Sequence, residues 1–484
     1  MIWIVSCADD PIRSVGTGTI AGRVLDDRTA TPLEGVMLTT APASISTLSD
    51  SAGSFEILAL EEKQYNITAS KNGFIDASAI VAIKAGETTL ADFSMAPESN
   101  QSPDSPESFN PPDGATDLPV TSLILSWSGS DPDPGNSLTY DVHLFVSDGT
   151  TQLLTTGQTD TSVQVSDLLF GVTYFWQVIV KDDNGGVQNG SVLRFTTQLP
   201  PDNPVIFSAQ QGNNYDIYSG GTESLDDRLA RLTREPSGER WPRMSPNRSR
   251  IAFSSDRTGE PHIFLMDRNG GDPFQVTALP VAGFNNQGIG FSWSPDGTQL
   301  IYGHYDRLYR IDVTGGNLIL LATAPAGRHF RETDWSPLGD RLAVLTIGSS
   351  RYDAEIYLLD TDGSNLTLLV GNDPGALTGL AFSPDGRKVL YSHDISGFEA
   401  NSGRQIDAHL FTVLLDGAGA TDLSTAKPAG TNDLHPRWSP DGSSVVFENV
   451  RNDDSELPGL WILDVADPAQ RTRIVTEGSM PDWR

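Results

Sequence analysis

From about residue 201 onward, short apolar runs recur in a fixed order, separated by Pro, Asp, Asn and Gly. Each cycle opens on an aromatic or apolar residue followed by Ser-Pro. The copies are Met244-Ser245-Pro246-Asn247, Trp293-Ser294-Pro295-Asp296-Gly297, Trp335-Ser336-Pro337-Leu338-Gly339, Phe382-Ser383-Pro384-Asp385-Gly386 and Trp438-Ser439-Pro440-Asp441-Gly442. The runs that follow, such as Leu300-Ile301-Tyr302 and Val445-Val446-Phe447, are too short for helices and rich in β-branched and aromatic residues, which predicts strands. Pro presets the turn and Gly permits positive φ, so each Ser-Pro-Asp-Gly predicts a hairpin connection. A third strand, such as Ile356-Tyr357-Leu358-Leu359, and a fourth, such as Phe274-Gln275-Val276-Thr277, are joined by turns such as Asn269-Gly270-Gly271-Asp272. Four strands repeated at about 40 to 50 residues predict the blades of a β-propeller.

Five units are complete, and a partial one precedes them: Pro204-Val205-Ile206-Phe207, Asp216-Ile217-Tyr218 and Ala230-Arg231-Leu232-Thr233. Its first strand is missing there. The last residues, Met480-Pro481-Asp482-Trp483, match His435-Pro436-Arg437-Trp438, so the C-terminal strand is expected to complete the first blade and close a six-bladed ring without open edges. These repeats resemble the TolB-type propeller family, whose blades carry Trp-Ser-Pro-Asp-Gly and a later Asp-Ile-Tyr-like strand. The resemblance covers about residues 201–484. Met244, Asn247 and Leu338 depart from the motif and read as drift in a turn.

Residues 15–97 alternate apolar and polar positions and read as a small all-β domain. Gly22-Arg23-Val24-Leu25-Asp26, Pro32-Leu33-Glu34-Gly35-Val36, the stretch Ser49 to Ile57, and Lys71-Asn72-Gly73-Phe74 resemble the carboxypeptidase regulatory-like domain, a transthyretin-like sandwich, which implies a structural or adhesive module. Here Gly53 is expected to turn a hairpin and Phe55 and Ile57 to face the core. Residues 98–112 are a Pro-, Ser- and acid-rich linker. Residues 113–199 resemble a fibronectin type III domain through Leu123-Ile124-Leu125-Ser126-Trp127 and the strand around Tyr174-Phe175-Trp176, which assigns Trp127 to the core and Tyr174 to a corner. The expected fold is thus all-β: a signal remnant and tether over 1–14, two small β-sandwich domains, and a propeller over 200–484.

Charge narrows the partners. With 63 acidic against 32 basic residues the net charge is −31, which argues against nucleic acid and anionic membrane surfaces. The single cysteine, Cys7, can form no intrachain disulfide, but Ile4-Val5-Ser6-Cys7 resembles a bacterial lipobox. That implies lipidation of Cys7 and a periplasmic or cell-surface protein anchored at the outer membrane. No apolar run is long enough to span a bilayer.

Candidate chemistry lies in the loops. Strand alternation puts the Pro-Asp-Gly and Gly-Gly turns on one propeller face, with little room for recognition. The other face carries the long loops, where function is usually held. The binding candidates there are His304, Tyr305, Arg328, His329, Arg331, Tyr352, Asn432, His435 and Arg451, whose aromatic, cationic and amide groups suit an envelope protein or a glycan. Asp131, Asp133 and Asp141 are a candidate calcium site in the second sandwich. No catalytic residue, transition metal or other cofactor is assigned. Six histidines fall in the propeller, and a lyase family acting on oligogalacturonate gathers His around manganese in a similar ring. Convergence of three among His304, His329, His393 and His435 is the feature that would favour such a polysaccharide lyase or hydrolase. No Gly-x-Ser-x-Gly, His-Glu-x-x-His or phosphate-cradling Gly loop is present. The leading expectation is therefore a non-enzymatic binding or scaffold protein of the cell envelope.

Overall fold

The computed structural model describes residues 16–97, 100–133, 136–146, 151–371, 375–400, 404–453 and 455–484; Cys7 lies outside them. Among the described residues the regular elements are strands, and no helix is long and apolar enough to cross a membrane. The chain divides into two units, Met1–Gln198 and Leu199–Arg484.

The first unit holds two pairs of sheets. In the first pair, Thr17–Asp26 lies between Ser54–Glu61 and the short strands Thr88–Leu90 and Phe93–Met95, while Thr47–Leu48, Met37–Ala41, Gln64–Ser70 and Ala77–Ala82 make the other sheet. Ile20, Val24, Phe55 and Ile57 from one and Leu38, Tyr65, Ile67 and Val81 from the other meet in one core, as side chains alternating at period two require. Gly53 has φ of 71°, and a Cβ there would lie 2.5 Å from Val24 O. The turn it makes differs from the expected hairpin: Thr47–Leu48 and Ser54–Glu61 belong to different sheets, so Asp50–Gly53 carries the chain from one sheet to the other.

In the second pair, Glu107–Asn110, Leu123–Ser128 and Ser162–Val165 form a sheet beside one centred on Thr173–Asp182. Trp127 is buried and packs 6.5 Å from Trp176. The Tyr174 hydroxyl accepts the Leu169 N–H at 2.8 Å, which fixes the turn before its strand.

The calcium expectation needs correction. Asp141 is ion-paired with Lys181 at 2.5 Å and accepts the Thr156 hydroxyl and Gly157 N–H. Asp133 accepts two bonds from Gln101, and Asp131 accepts the Asp133 N–H and the Asn136 amide. Each of the three carboxylates accepts from different protein donors, Asp131 through Oδ1 alone, and no group of three His, Cys, Asp or Glu suited to a metal exists among the described residues.

The second unit is a β-propeller in which the described residues form six sheets. Five begin with the leading strands Glu239–Met244, Phe291–Trp293, His329–Trp335, Leu377–Phe382 and Thr431–Trp438. In the remaining sheet Val205–Gln211 pairs with the C-terminal strand Ser479–Trp483, Val205 facing Trp483 and Ile206 facing Asp482. That strand also touches both Glu239–Met244 and Thr431–Trp438. Carboxylates sew neighbouring leading strands together: Asp482 accepts the Met244 N–H at 2.8 Å, Asp334 the Phe382 N–H at 2.7 Å, and Glu332 the Gly379 N–H at 2.8 Å.

The repeat motif is a hydrogen-bonded turn. Ser439 Oγ donates to Asp441 at 2.6 Å and accepts the Ser444 N–H at 2.9 Å, and Ser294 and Ser383 do the same with their own aspartates. The two departures conserve this chemistry. Asn247 takes the Ser245 hydroxyl at 2.8 Å, and where Leu338 replaces the aspartate, Asp340 takes the Ser336 hydroxyl at 2.8 Å.

Candidate functional site

The leading strands are interrupted by β-bulges. Register slips between Arg240 and Arg243, Phe330 and Glu332, Thr378 and Ala381, Leu434 and Arg437, and opposite Ile206 and Ser208 in the pairing with Ser479–Trp483. The residues extruded there include Trp241, Arg331, Gly379, His435 and Met480. Trp241, His435 and Met480 are left-handed, with φ of 57°, 50° and 55°, and each precedes a proline. For an L-residue that conformation costs roughly 1–2 kcal/mol, and strain of this kind gathers at functional sites. At Gly379 a Cβ would lie 2.2 Å from Pro436 Cδ, so only glycine fits. At 241, 435 and 480 a side chain reaches a cavity instead.

That cavity, at the long-loop end of the propeller, has a volume of about 740 Å3. Its basic lining residues are Arg331, Arg351, Arg404, Arg451 and His435, against one acid, Glu448. Burial lowers the Arg331 pKa, with Glu332 opposing. The Arg331 Nη1 donates to Leu377 O at 3.1 Å. Arg351 Nε reaches Asn285 at 3.3 Å, and Arg451 pairs with Asp453 at 3.3 Å. His435 sits edge-on to Trp241, ring centroids 4.8 Å apart. Burial, and then Arg331, Arg437 and Arg243, hold its pKa well below the ordinary imidazole value, so the ring is neutral at pH 7. Burial pushes the Glu448 carboxyl up to about 7, opposed by the Met480 N–H that it accepts at 3.1 Å.

Of the nine binding candidates, Arg331, Asn432, His435 and Arg451 line this cavity. Asn432 is buried, accepts the Ala408 N–H and donates to Gln405 O, each at 2.9 Å. Tyr352 lies behind the wall, its hydroxyl donating to Arg404 O at 2.7 Å. Both residues thus fix the backbone that carries Arg404 and Gln405 into the cavity. His304, Tyr305, Arg328 and His329 go elsewhere. His304 Nδ1 lies 2.8 Å from Pro280 O, and His329 stacks on Phe284 at 3.7 Å and accepts its N–H. Arg328 bonds Asp353 at 2.6 Å and Glu355 at 3.1 Å. Tyr305 packs edge-on to His329. The histidines do not converge on a metal-binding set among the described residues.

Sequence reasoning did not select Trp241, Met480, Tyr215, Arg351, Arg404 or Glu448. A signal existed for the first two. Trp241-Pro242 and His435-Pro436 stand at the same distance before Ser-Pro, and Met480-Pro481 aligns with them.

The turn face holds a cavity as well, contrary to the expectation of little room. It has a volume of about 620 Å3 and is walled by motif residues, including Trp293, Trp335, Trp438 and the prolines 295, 337, 384 and 440. Its buried arginines face carboxylates. Arg437 lies 3.9 Å from Asp482, and Arg243, whose pKa burial and Arg437 lower to about 9, is opposed by Asp482, Glu332 and Asp334.

Residues 19–96 match the carboxypeptidase regulatory-like domain. A dipeptidyl-peptidase 5 of Porphyromonas endodontalis is 24% identical over 284 residues, covering 53% of this chain and 38% of that protein. An uncharacterized protein of Agrobacterium fabrum is 26% identical over 257 residues, covering 51% of this chain and 81% of that protein. Among solved structures, TolB from Acinetobacter baumannii is similar over 65% of this chain and 79% of its own, at 17% identity and a TM-score of 0.46. An oligogalacturonate lyase in complex with manganese is similar over 56% and 72%, at 16% identity and a TM-score of 0.37. At these values neither likeness bears on function.

Proposed function

We propose that this protein is a non-enzymatic binding or scaffold protein of the bacterial cell envelope, presenting the long-loop mouth of a TolB-like propeller to an anionic protein or glycan. In this reading the six sheets are blades of a ring closed by Ser479–Trp483. Residues 15–97 and 113–199 are small sandwiches, the second of fibronectin type III kind, with a linker over 98–112. Cys7 is lipidated and holds the chain outside the cytoplasm. The observation that carries the reading is a reversal of charge: a chain with about twice as many acids as bases places four arginines and one acid around its long-loop cavity. Arginine forks in a partly dewatered recess bind planar anions well, and the surrounding negative surface keeps non-matching polyanions away.

A metal-dependent lyase or hydrolase at the same mouth is the weaker reading, because His304 and His329 are engaged outside the cavity and His435 alone lines it. The test is retention of the full chain on purified peptidoglycan and on purified outer-membrane polysaccharide. Saturable, salt-sensitive retention that is lost in the Arg351→Gln/Arg404→Gln variant supports the reading. Retention indifferent to that variant, or progressive shortening of the polymer, overturns it.

A further inference from the structure

The chemistry of the cavity wall goes further than charge. We infer that the long-loop cavity recognises an acidic oligosaccharide, sugar rings bearing carboxylate or sulfate, in preference to an acidic peptide. The inference rests on the binding reading above and names its ligand class.

Three observations carry it. The first is the polar lining: beside the arginines stand Asn285, Gln287, Gln405 and Asn432. Side-chain amides each offer donors and an acceptor, which matches vicinal hydroxyls, while guanidinium forks match the acidic groups. The second is the floor. Met480 and the neutral His435, backed edge-on by Trp241, supply a mainly apolar surface held in strained left-handed backbone. Apolar contacts surrounded by hydrogen-bonding groups suit the C–H face of a pyranose.

The third observation argues against a peptide. An extended peptide gains affinity by adding a strand to an exposed edge. Glu239–Met244, Thr431–Trp438 and Ser479–Trp483 are the ends of their sheets, but at the level of the cavity they are bulged, and the bulges at 242, 436 and 481 hold prolines. Proline has no N–H to donate, and a bulge breaks the ladder that strand addition needs. The edge is therefore closed to backbone pairing where the arginines are. A volume of about 740 Å3 is also that of a small-ligand pocket, too small to admit a folded domain.

The experiment is calorimetric titration of the full chain with a uronic acid trisaccharide, a sulfated trisaccharide, the neutral hexose trisaccharide, and a glutamate-rich hexapeptide. Binding of at least one acidic sugar, about tenfold or more tighter than the neutral one and weakened by salt, is expected. Which acidic sugar binds separates carboxylate from sulfate as the source of charge. Arg351→Gln/Arg404→Gln should weaken that binding about tenfold or more with an unchanged melting temperature. Met480→Gly, which keeps the left-handed backbone without strain, should weaken it several-fold by removing the floor. Equal affinity for neutral and acidic sugars overturns the inference, as does binding indifferent to the arginine variant. Tighter binding of the hexapeptide, abolished by the arginine variant, overturns the sugar assignment while leaving the binding role of this mouth standing. Silence from all four probes, together with no polymer retention, overturns both.

Discussion

The two mouths of the propeller are built from the same strands and are nearly the same size, about 740 and 620 Å3, yet they are made of different kinds of residue. The turn mouth is walled by what repeats. Tryptophans and prolines come from equivalent positions of successive units, and its buried Arg243 and Arg437 are balanced by Asp334 and Asp482. The long-loop mouth is walled by what does not repeat. At one structural level, in the bulge, the chain places Trp, Arg, Gly, His and Met in different sheets, and the cavity lining holds four arginines and a single acid, Glu448. Repetition at one end holds the sheets together; variation at the other end gives the cavity a chemistry of its own, which is what the proposed binding role uses.

The comparison breaks most sharply at the turn mouth. Asp482→Ala removes the acceptor of the Met244 N–H and the carboxylate facing Arg437 and Arg243. Removing one partner of a buried charge set costs about 3–5 kcal/mol. The expected result is a large fall in the urea midpoint; a fall no greater than that of a surface substitution would show that this end is not what holds the ring.

Glu448 at the long-loop mouth gives the next largest effect, and it depends on pH. Its folded pKa is about 7 against an ordinary 4.5. Below pH 4.5 both states are protonated; between 4.5 and 7 the unfolded chain releases the proton that the folded chain keeps, so stability falls as pH rises. Across that window the loss is about 3 kcal/mol, at 1.36 kcal/mol per pH unit. Glu448→Gln lacks this slope, so it should match the parent near pH 4 and exceed it above pH 7 in denaturant unfolding. Parallel stability curves for the two proteins would refute the assignment.

The smallest contrast sharpens the distinction. Ser439→Ala in the repeat turn removes a hydroxyl that joins Asp441 to the Ser444 N–H and should cost about 1 kcal/mol. Arg351→Gln/Arg404→Gln, equally polar but outside the repeat, should stay within about 0.5 kcal/mol of the parent. Comparable losses in thermal unfolding would erase the division of labour between the two ends.

Much of the fold was legible because repetition amplifies a weak signal. A single Ser-Pro-Asp-Gly is one turn among many, whereas three of them and two variants in phase place the strands on either side of each, and Met480-Pro481-Asp482-Trp483 could be matched to His435-Pro436-Arg437-Trp438 before any pairing was known. The drifted turns were legible only in part. That Asp340 replaces the aspartate lost at Leu338 depends on where two side chains point. The site was legible in less than half. His435, Arg331, Asn432 and Arg451 were found because their segments read as long loops, although the structure places all four in strands, the first three in leading strands. His304, His329, Arg328 and Tyr305 come from segments that read the same way but are engaged elsewhere, His329 with Phe284 and Tyr305, Arg328 with Asp353 and His304 with Pro280 O.

The sequence by itself determined the strands, their turns and the order of the units, because those follow from local periodicity and from what Pro and Gly allow. It also determined the excess of acid over base. Tertiary structure alone decided which of many charged loop residues share a cavity. Arg404 reaches it because Tyr352 and Asn432, distant in the chain, hold the backbone around it. Tertiary structure also decided that three bulky residues take a left-handed conformation where a neighbouring sheet must have glycine, since the room for a side chain is set by the strand alongside. Convergence of separate segments on one volume is a property of packing, and spacing along a chain does not encode it.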